Sequence, residues 1–229
     1  MYRSLDDKGI TGTAEQLRAR ITVRFRDSSL SKVAAELVEL SRAATVRATS
    51  IIAPNTTLRA GVYFGSGVLL FISLVVLVRF SPDFTAFSFA QFVEILDALI
   101  NIAVLIGGAI FSLVTFEGRE QRSRAVAALH ELRAMAHVID MHQLAKQPGH
   151  VDDAIHPDVE AMSPPDLTAY LSWCTELLSL VGKLGAYYVQ DLNDEVSLDE
   201  ANELEDLTTG LSQKIWQKIM IVHQARGMA

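Results

Sequence analysis

The sequence predicts an all-α integral membrane protein that combines a two-helix transmembrane hairpin with a cytoplasmic four-helix bundle. Two stretches, Ala60 to Val78 and Ala98 to Phe116, each run for nineteen residues without a charge. At about 1.5 Å per residue, each covers most of the ~30 Å hydrocarbon core of a bilayer. Elsewhere, apolar residues recur at the three- and four-residue spacing of amphipathic helices. The alternative is a soluble bundle in which both stretches are buried core helices.

Charge is distributed unevenly around these stretches. Residues 1–59 hold ten Lys and Arg against six Asp and Glu, whereas residues 98–229 hold nine against eighteen. A basic part beside a membrane and an acidic distal part favour different partners. The acidic part argues against nucleic-acid binding. The single cysteine, Cys174, excludes an intrachain disulfide and fits a reducing compartment.

Arginines near the apolar stretches predict the orientation in the membrane. By the positive-inside rule, both termini face the cytoplasm of a bacterial cell and the connecting loop faces outward across the inner (plasma) membrane. No apolar segment like that of a signal peptide occurs in the first 30 residues, so we expect the first stretch to act as an uncleaved insertion signal. Seven arginines flank the inner ends, and Arg79 alone lies at the outer loop; the seven are Arg42, Arg47, Arg59, Arg119, Arg122, Arg124 and Arg133.

The first segment, residues 1–28, is interpreted as a basic N-terminal arm. Residues 1–12 are polar and contain two glycines, so they are expected to be loosely ordered, and Thr13 with Gln16 resembles a capping box. Residues 17–26 fit strand alternation, but they also place an apolar residue every four positions. A helix is preferred, because a lone strand would have no partner. It is expected either to lie on anionic headgroups or to pack one stripe on the helical domain, and both interpretations stay open.

The other predicted segments follow in chain order. A cytoplasmic amphipathic helix covers 29–53, and Pro54 ends it. The second transmembrane helix is expected to continue as one long helix to about Lys146. The remaining segments are the first transmembrane helix at 58–79, a short Phe-rich outer loop at 80–91, the second transmembrane helix at 92–116 and an acidic cytoplasmic helical domain at 117–229.

Two helix starts are predicted inside the acidic domain. Ser163 precedes Pro164, which is the usual chemistry of a helix cap followed by proline in the first turn. That helix is expected to reach about Gln190. Ser197 with Glu200 forms a second capping box, which is expected to open the last helix. Together with the upstream helices, these predict the four-helix bundle.

Small residues in both apolar stretches predict helix packing. Gly61 and Gly65 form a G-x-x-x-G pattern, and Gly107 and Gly108 lie in the second stretch. Such residues let helix backbones approach closely in lipid. They are expected either to pack the two spans on each other or to form a contact between copies of the chain.

Polar residues at the outer end of the second span form a further candidate site. Glu94, Asp97 and Asn101 fall on one helical face. Ionisable groups at this depth are candidates for an ion or proton path. The structural alternative, which we prefer, is an ion pair between Arg79 and either carboxylate.

Histidines and acids in the C-terminal half suggest two weak metal sites. The first set is His130, His137, Asp140 and His142, residue types that bind zinc or iron. A single helix cannot bring residues seven apart around one ion, and an ordinary pair of His137 with Asp140 is preferred. Residues 191–202 resemble a calcium loop, but Val196 and Asn202 replace its turn glycine and bidentate glutamate.

The sequence therefore favours a non-enzymatic protein without a cofactor. The leading hypothesis is a two-pass membrane protein that anchors a helical bundle and acts as a scaffold, assembly or signalling module. Its expected partners are the lipid bilayer, other copies of itself in a homo-oligomer and a cytoplasmic protein. A small oligomeric ion- or proton-conducting component is the alternative, and a metal-binding membrane enzyme is third.

Overall fold

The computed structural model describes residues 4–79, 89–144 and 162–227. Within these ranges all regular secondary structure is α-helix, and no strand occurs. The helices are α1 (Asp7–Arg24), α2 (Ser29–Arg42), α3 (Ala44–Ile52), α4 (Thr56–Arg79), α5 (Phe89–Leu144), α6 (Pro164–Val189) and α7 (Glu195–Gly227).

The N-terminal segment is an ordered helix that packs against other helices. Asp6 caps α1 by accepting hydrogen bonds from the backbone N–H groups of Lys8 and Gly9. The expected start at Thr13 is therefore wrong, because an aspartate seven residues earlier accepts hydrogen bonds from free N–H groups of the first turn. The choice of helix over strand is confirmed. Leu17 and Ile21 are 0% exposed, so the stripe with four-residue spacing is the buried one.

The expected single helix over 29–53 is divided at Ala43. This residue separates α2 from α3, with φ −80° and ψ −6°. The carbonyl of Ser41 accepts a hydrogen bond of 3.1 Å from the Thr11 hydroxyl. The side chain of Thr45 also donates to the carboxylate of Asp7. These contacts with α1 hold the chain where the helix breaks, and local sequence does not reveal them.

The later helices lie where the sequence predicted them, and the differences are at their first residues. Helix α5 is continuous over 56 residues, which confirms the long helix, although it begins inside the predicted outer loop. Ser163 caps α6 as predicted. Helix α7 begins two residues before the predicted capping box, because the carboxylate of Asp194 accepts the N–H of Ser197 at 2.9 Å.

The chain divides into two compact units. Unit 1 comprises Met1–Ile52 and Arg122–Ala229, and unit 2 comprises Ala53–Gln121. Helices α1 and α2 contact α6 within unit 1, so of the two interpretations left open for the N-terminal arm, the structure has it pack one stripe on the helical domain. Unit 1 has one apolar core to which α1, α2, α3, α5, α6 and α7 all contribute.

Unit 2 has the opposite distribution of apolar side chains. Two helices of the described chain are long and apolar enough to cross a membrane. Buried residues make up 0% of the apolar window in one and 6% in the other. Almost none of either apolar window is therefore buried in this structure, whereas the core helices of a soluble bundle would bury them.

Candidate functional site

Unit 2 is a helical hairpin with one packed seam. The residues of α4 up to Val75 are exposed except at positions spaced three or four apart, and α5 shows the same pattern from Val93 to Leu113. This spacing places each set on one helical face. The seam consists of Leu58, Val62, Ser66, Leu69 and Ser73 on α4 and of Ile95, Ile102, Ile106, Ala109 and Leu113 on α5.

A bidentate ion pair closes the inner end of the seam. Arg59 donates from Nε and Nη2 to the two carboxylate oxygens of Glu117, each at 2.6 Å. The Glu117 side chain is 10% exposed and the Arg59 side chain 45%. Such a fork is among the stronger ion-pair geometries. This pair was not predicted from the sequence, although the signal is present there: Arg59 directly precedes one apolar stretch and Glu117 directly follows the other.

The polar residues at the outer end of the hairpin are exposed. Glu94, Asp97 and Asn101 share a face of α5, and the Asn101 amide donates to the Asp97 carboxylate at 3.2 Å. The side chain of Arg79 lies outside the described residues, so its pairing with Asp97 or Glu94 stays a prediction. About 20 helical residues span the hydrocarbon core. Counted back from Phe116, twenty residues of α5 end at Asp97, so both acids lie at the N-terminal end of this apolar stretch.

The four glycines lie away from the seam. All four are exposed, and a Cβ built at Gly61, Gly65, Gly107 or Gly108 would meet no other atom within 4 Å. The first alternative, that these glycines pack the two spans on each other, is wrong because Ser66 and larger apolar residues form the seam. A contact between copies stays a prediction.

The histidine candidates lie apart and have other neighbours. His130 is exposed, and its Nε2 lies 4.0 Å from Glu200. Asp140 accepts a hydrogen bond from Gln143, whose own carbonyl oxygen Oε1 accepts one from Lys218 at 2.8 Å. Burial lowers the pKa of both His142 and Lys218. No group of three or more His, Cys, Asp or Glu in the described ranges could hold a metal ion.

The suggested calcium loop is instead a helix start tied to α5. Glu195 is already the first residue of α7. Asp194 caps that helix and accepts hydrogen bonds from Arg122, the shortest at 2.6 Å. The Arg122 guanidinium and the Ser197 donors hold the pKa of this carboxyl at about 2. Asp194 is therefore an ionised structural anchor at neutral pH.

Unit 1 also carries an open cleft of about 640 Å³ along α6. Its floor carries small residues of α6, and α7 supplies hydroxyl groups and the exposed ring of Trp216 at one end. Three charged residues also line the cleft, namely Lys183 and the two acids Glu176 and Glu205. The cleft can accept polar or amphipathic groups of a partner, and it presents no grouping that identifies a reaction.

Comparisons with known proteins add no further assignment. No protein-family model matches the chain, and neither the curated proteins nor the solved structures compared with it give a match.

Proposed function

We propose that this chain is a two-pass membrane protein that anchors a helical bundle at the inner face of the membrane. The bundle acts there as a scaffold, assembly or signalling module through self-association or docking of a protein partner. The exposed apolar surface of the hairpin is the observation that carries the proposal. Phe64 is 76% exposed, Phe71 67% and Phe111 73%, and lipid is the environment in which such side chains are stable.

The composition of unit 1 supports an arrangement with both termini on the same side. Its two parts precede and follow the hairpin. They join through ion pairs, among them Arg24 with Asp166 at 2.7 Å and Arg47 with Glu131. A membrane between the two parts would prevent this packing, so the intervening chain must cross an even number of times. The excess of arginine at the inner ends then favours the cytoplasm.

Unit 1 has the properties of a rigid docking platform. Its core includes fully buried side chains from α1, α2, α5 and α6, such as Leu17, Leu37, Leu132 and Leu171. The cleft beside Trp216 provides a surface for a partner. Aromatic side chains of this kind often anchor protein interfaces.

Cysteine labelling in whole cells tests the membrane arrangement. The native Cys174 is fully buried, and burial raises the pKa of its thiol to about 12, so it should stay silent in the folded protein. Thr85→Cys should react with an impermeant maleimide, and Ser4→Cys should react only after the cells are opened. Reaction of Ser4→Cys in intact cells would overturn the orientation. Release of the wild-type protein by alkaline carbonate would overturn membrane insertion.

A conducting oligomer is the second candidate, and the exposed acids of α5 favour it. Glu94 and Asp97 could line the mouth of an ion path if several copies surrounded it. Purified protein in liposomes should then carry current that falls in Asp97→Asn. Absence of current from a reconstituted oligomer would leave the scaffold function as the proposal.

A further inference from the structure

A line of polar and small residues runs along α5 outside the packed seam. Glu94, Asn101, Gly108 and Thr115 follow one another at intervals of seven. Asp97 and Ser112 lie beside this line on the helical surface. All six residues are exposed in the single chain. We name this set the polar face of α5.

The seam with α4 lies on another side of the same helix. Successive residues of an α-helix are rotated by about 100°, which places the polar face roughly a third of a turn from Ile102, Ile106 and Ala109. Lipid is a good environment for the neighbouring exposed residues Val104, Leu105 and Phe111. It is a poor one for an exposed asparagine amide, since hydrocarbon offers the amide no hydrogen-bond partner.

The amide of Asn101 is only partly satisfied within its own helix. Its Nδ2 donates one hydrogen bond, to Asp97. By contrast, the Thr115 hydroxyl donates a hydrogen bond to the carbonyl of Phe111 at 2.9 Å. Among the residues of the polar face, Asn101 would therefore gain the most hydrogen bonding from a second helix in the membrane. Asparagine carries both a donor and an acceptor, so an identical residue at the same depth complements it.

We propose that the polar face of α5 is the surface on which two copies of this chain associate in the membrane, as a parallel pair of α5 helices. This inference rests on the proposed membrane function and adds to it the interface and the number of copies. Two copies inserted in the same orientation bring equal residues to equal depth. Repetition every seven residues is the pattern of two helices that stay in contact, and a single polar residue in such a seam favours the dimer.

The other members of the face fit this arrangement. Gly108 and Ser112 leave room for two backbones to approach closely near the middle of the span. The carboxylates of Glu94 and Asp97 lie at the outer edge of the hydrocarbon core, where water and headgroups screen the repulsion between two copies. The contact therefore centres on residues 101–115.

Cross-linking at two adjacent glycines tests the interface. Gly108→Cys lies on the polar face, whereas Gly107→Cys lies about 100° away at nearly the same depth. Neither new side chain meets another atom within 4 Å in the single chain, so both variants should fold. In native membranes, copper–phenanthroline oxidation should convert most of Gly108→Cys to a disulfide-linked dimer and at least tenfold less of Gly107→Cys. Equal cross-linking of the two, or more of Gly107→Cys, would overturn the proposal.

A second pair of variants separates this inference from the proposed function. Asn101→Leu should reduce cross-linking of Gly108→Cys several-fold, and Ile100→Leu, on another side of α5, should leave it unchanged. The mass of the detergent-solubilised wild type is measured in parallel. A dimer that cross-links through Gly61→Cys or Gly65→Cys instead would overturn the α5 interface and leave self-association standing. A strict monomer would overturn both, and a mass above that of the dimer would overturn the two-stranded arrangement.

Discussion

The two units use apolar residues in opposite ways, although one helix, α5, contributes to both. In unit 1, Leu129, Leu132 and Ile139 of α5 are at most 1% exposed. In unit 2, Leu99 and Leu105 of the same helix are 56% and 60% exposed. Both parts belong to one continuous helix, so their backbone geometry does not account for the difference. The difference lies in the residues around each leucine. Where polar residues interrupt the apolar ones, the leucines of α5 are buried in a core, and where they do not, the leucines are exposed. The pattern therefore indicates which solvent suits each part of the helix.

The largest contrast is expected from one substitution made at two places on α5. Leu132→Ala removes a fully buried side chain and should lower the free energy of unfolding of unit 1 by about 2–5 kcal/mol. Leu99→Ala removes a side chain that faces lipid and should have little effect on that free energy. Thermal unfolding of the detergent-solubilised protein, followed by circular dichroism, measures both. Similar losses from the two variants would contradict the contrast.

A charge on the exposed surface should distinguish lipid from water. Val104→Arg, near the centre of the second span, should oppose insertion by about 2.5–3.5 kcal/mol. Val23→Arg, at an 88% exposed position of α1, should change stability by less than about 0.5 kcal/mol. The fraction of each variant that resists carbonate extraction gives the readout. Full retention of Val104→Arg would show that this face does not contact lipid.

The inner ion pair should be sensitive to the loss of one partner. Arg59→Ala leaves the Glu117 carboxylate buried without its guanidinium and should destabilise the hairpin. Adding Glu117→Gln should restore much of the loss, because the remaining amide is neutral. Protease resistance of the hairpin in membranes compares the single and double variants. A double variant no more resistant than Arg59→Ala would show that the pair contributes no coupling.

The smallest effect is expected at Asp194 in unit 1. Its pKa of about 2 lies below the ordinary value of 3.8, so the ionised form is favoured in the folded state. The resulting stability is present above about pH 4 and is lost as pH falls towards 2. Asp194→Asn should cost about 1–2 kcal/mol at pH 7 and flatten this part of the acid unfolding curve. If Asp194→Asn and the wild type had the same acid unfolding curve, the ion pair of Asp194 with Arg122 would not stabilise unit 1.

Much of the local structure could be predicted from the sequence where the signal is itself local. The cap at Ser163, the uninterrupted course of α5 and the two apolar spans were predicted correctly because adjacent residues determine them. The break at Ala43 was missed, since its causes are Thr11 and Asp7 on another helix. The true start of α1 was missed because Gly9 and Gly12 resemble a loop, yet the cap at Asp6 and the burial of Ile10 stabilise a helix there.

The candidate site was harder to predict for the same reason. Periodicity identifies the faces of a helix, but it does not say which face its neighbour covers. The two alternatives for the glycines therefore stayed open, and only the structure shows that Ser66 and larger apolar residues, rather than the glycines, lie in the seam. The pair of Arg59 with Glu117 depends on the hairpin being closed, so it becomes visible only when both spans are considered together.

The order of synthesis gives the divided unit 1 a further consequence. Helix α1 leaves the ribosome about 140 residues before its partner α6 begins. At 5–20 residues per second, that interval lasts roughly 7–28 s. During this time α1 can pack on α2, but α6, its other partner, is absent. Nascent chains stalled before α6 should therefore bind chaperones through α1, and release of that binding should coincide with the emergence of α6.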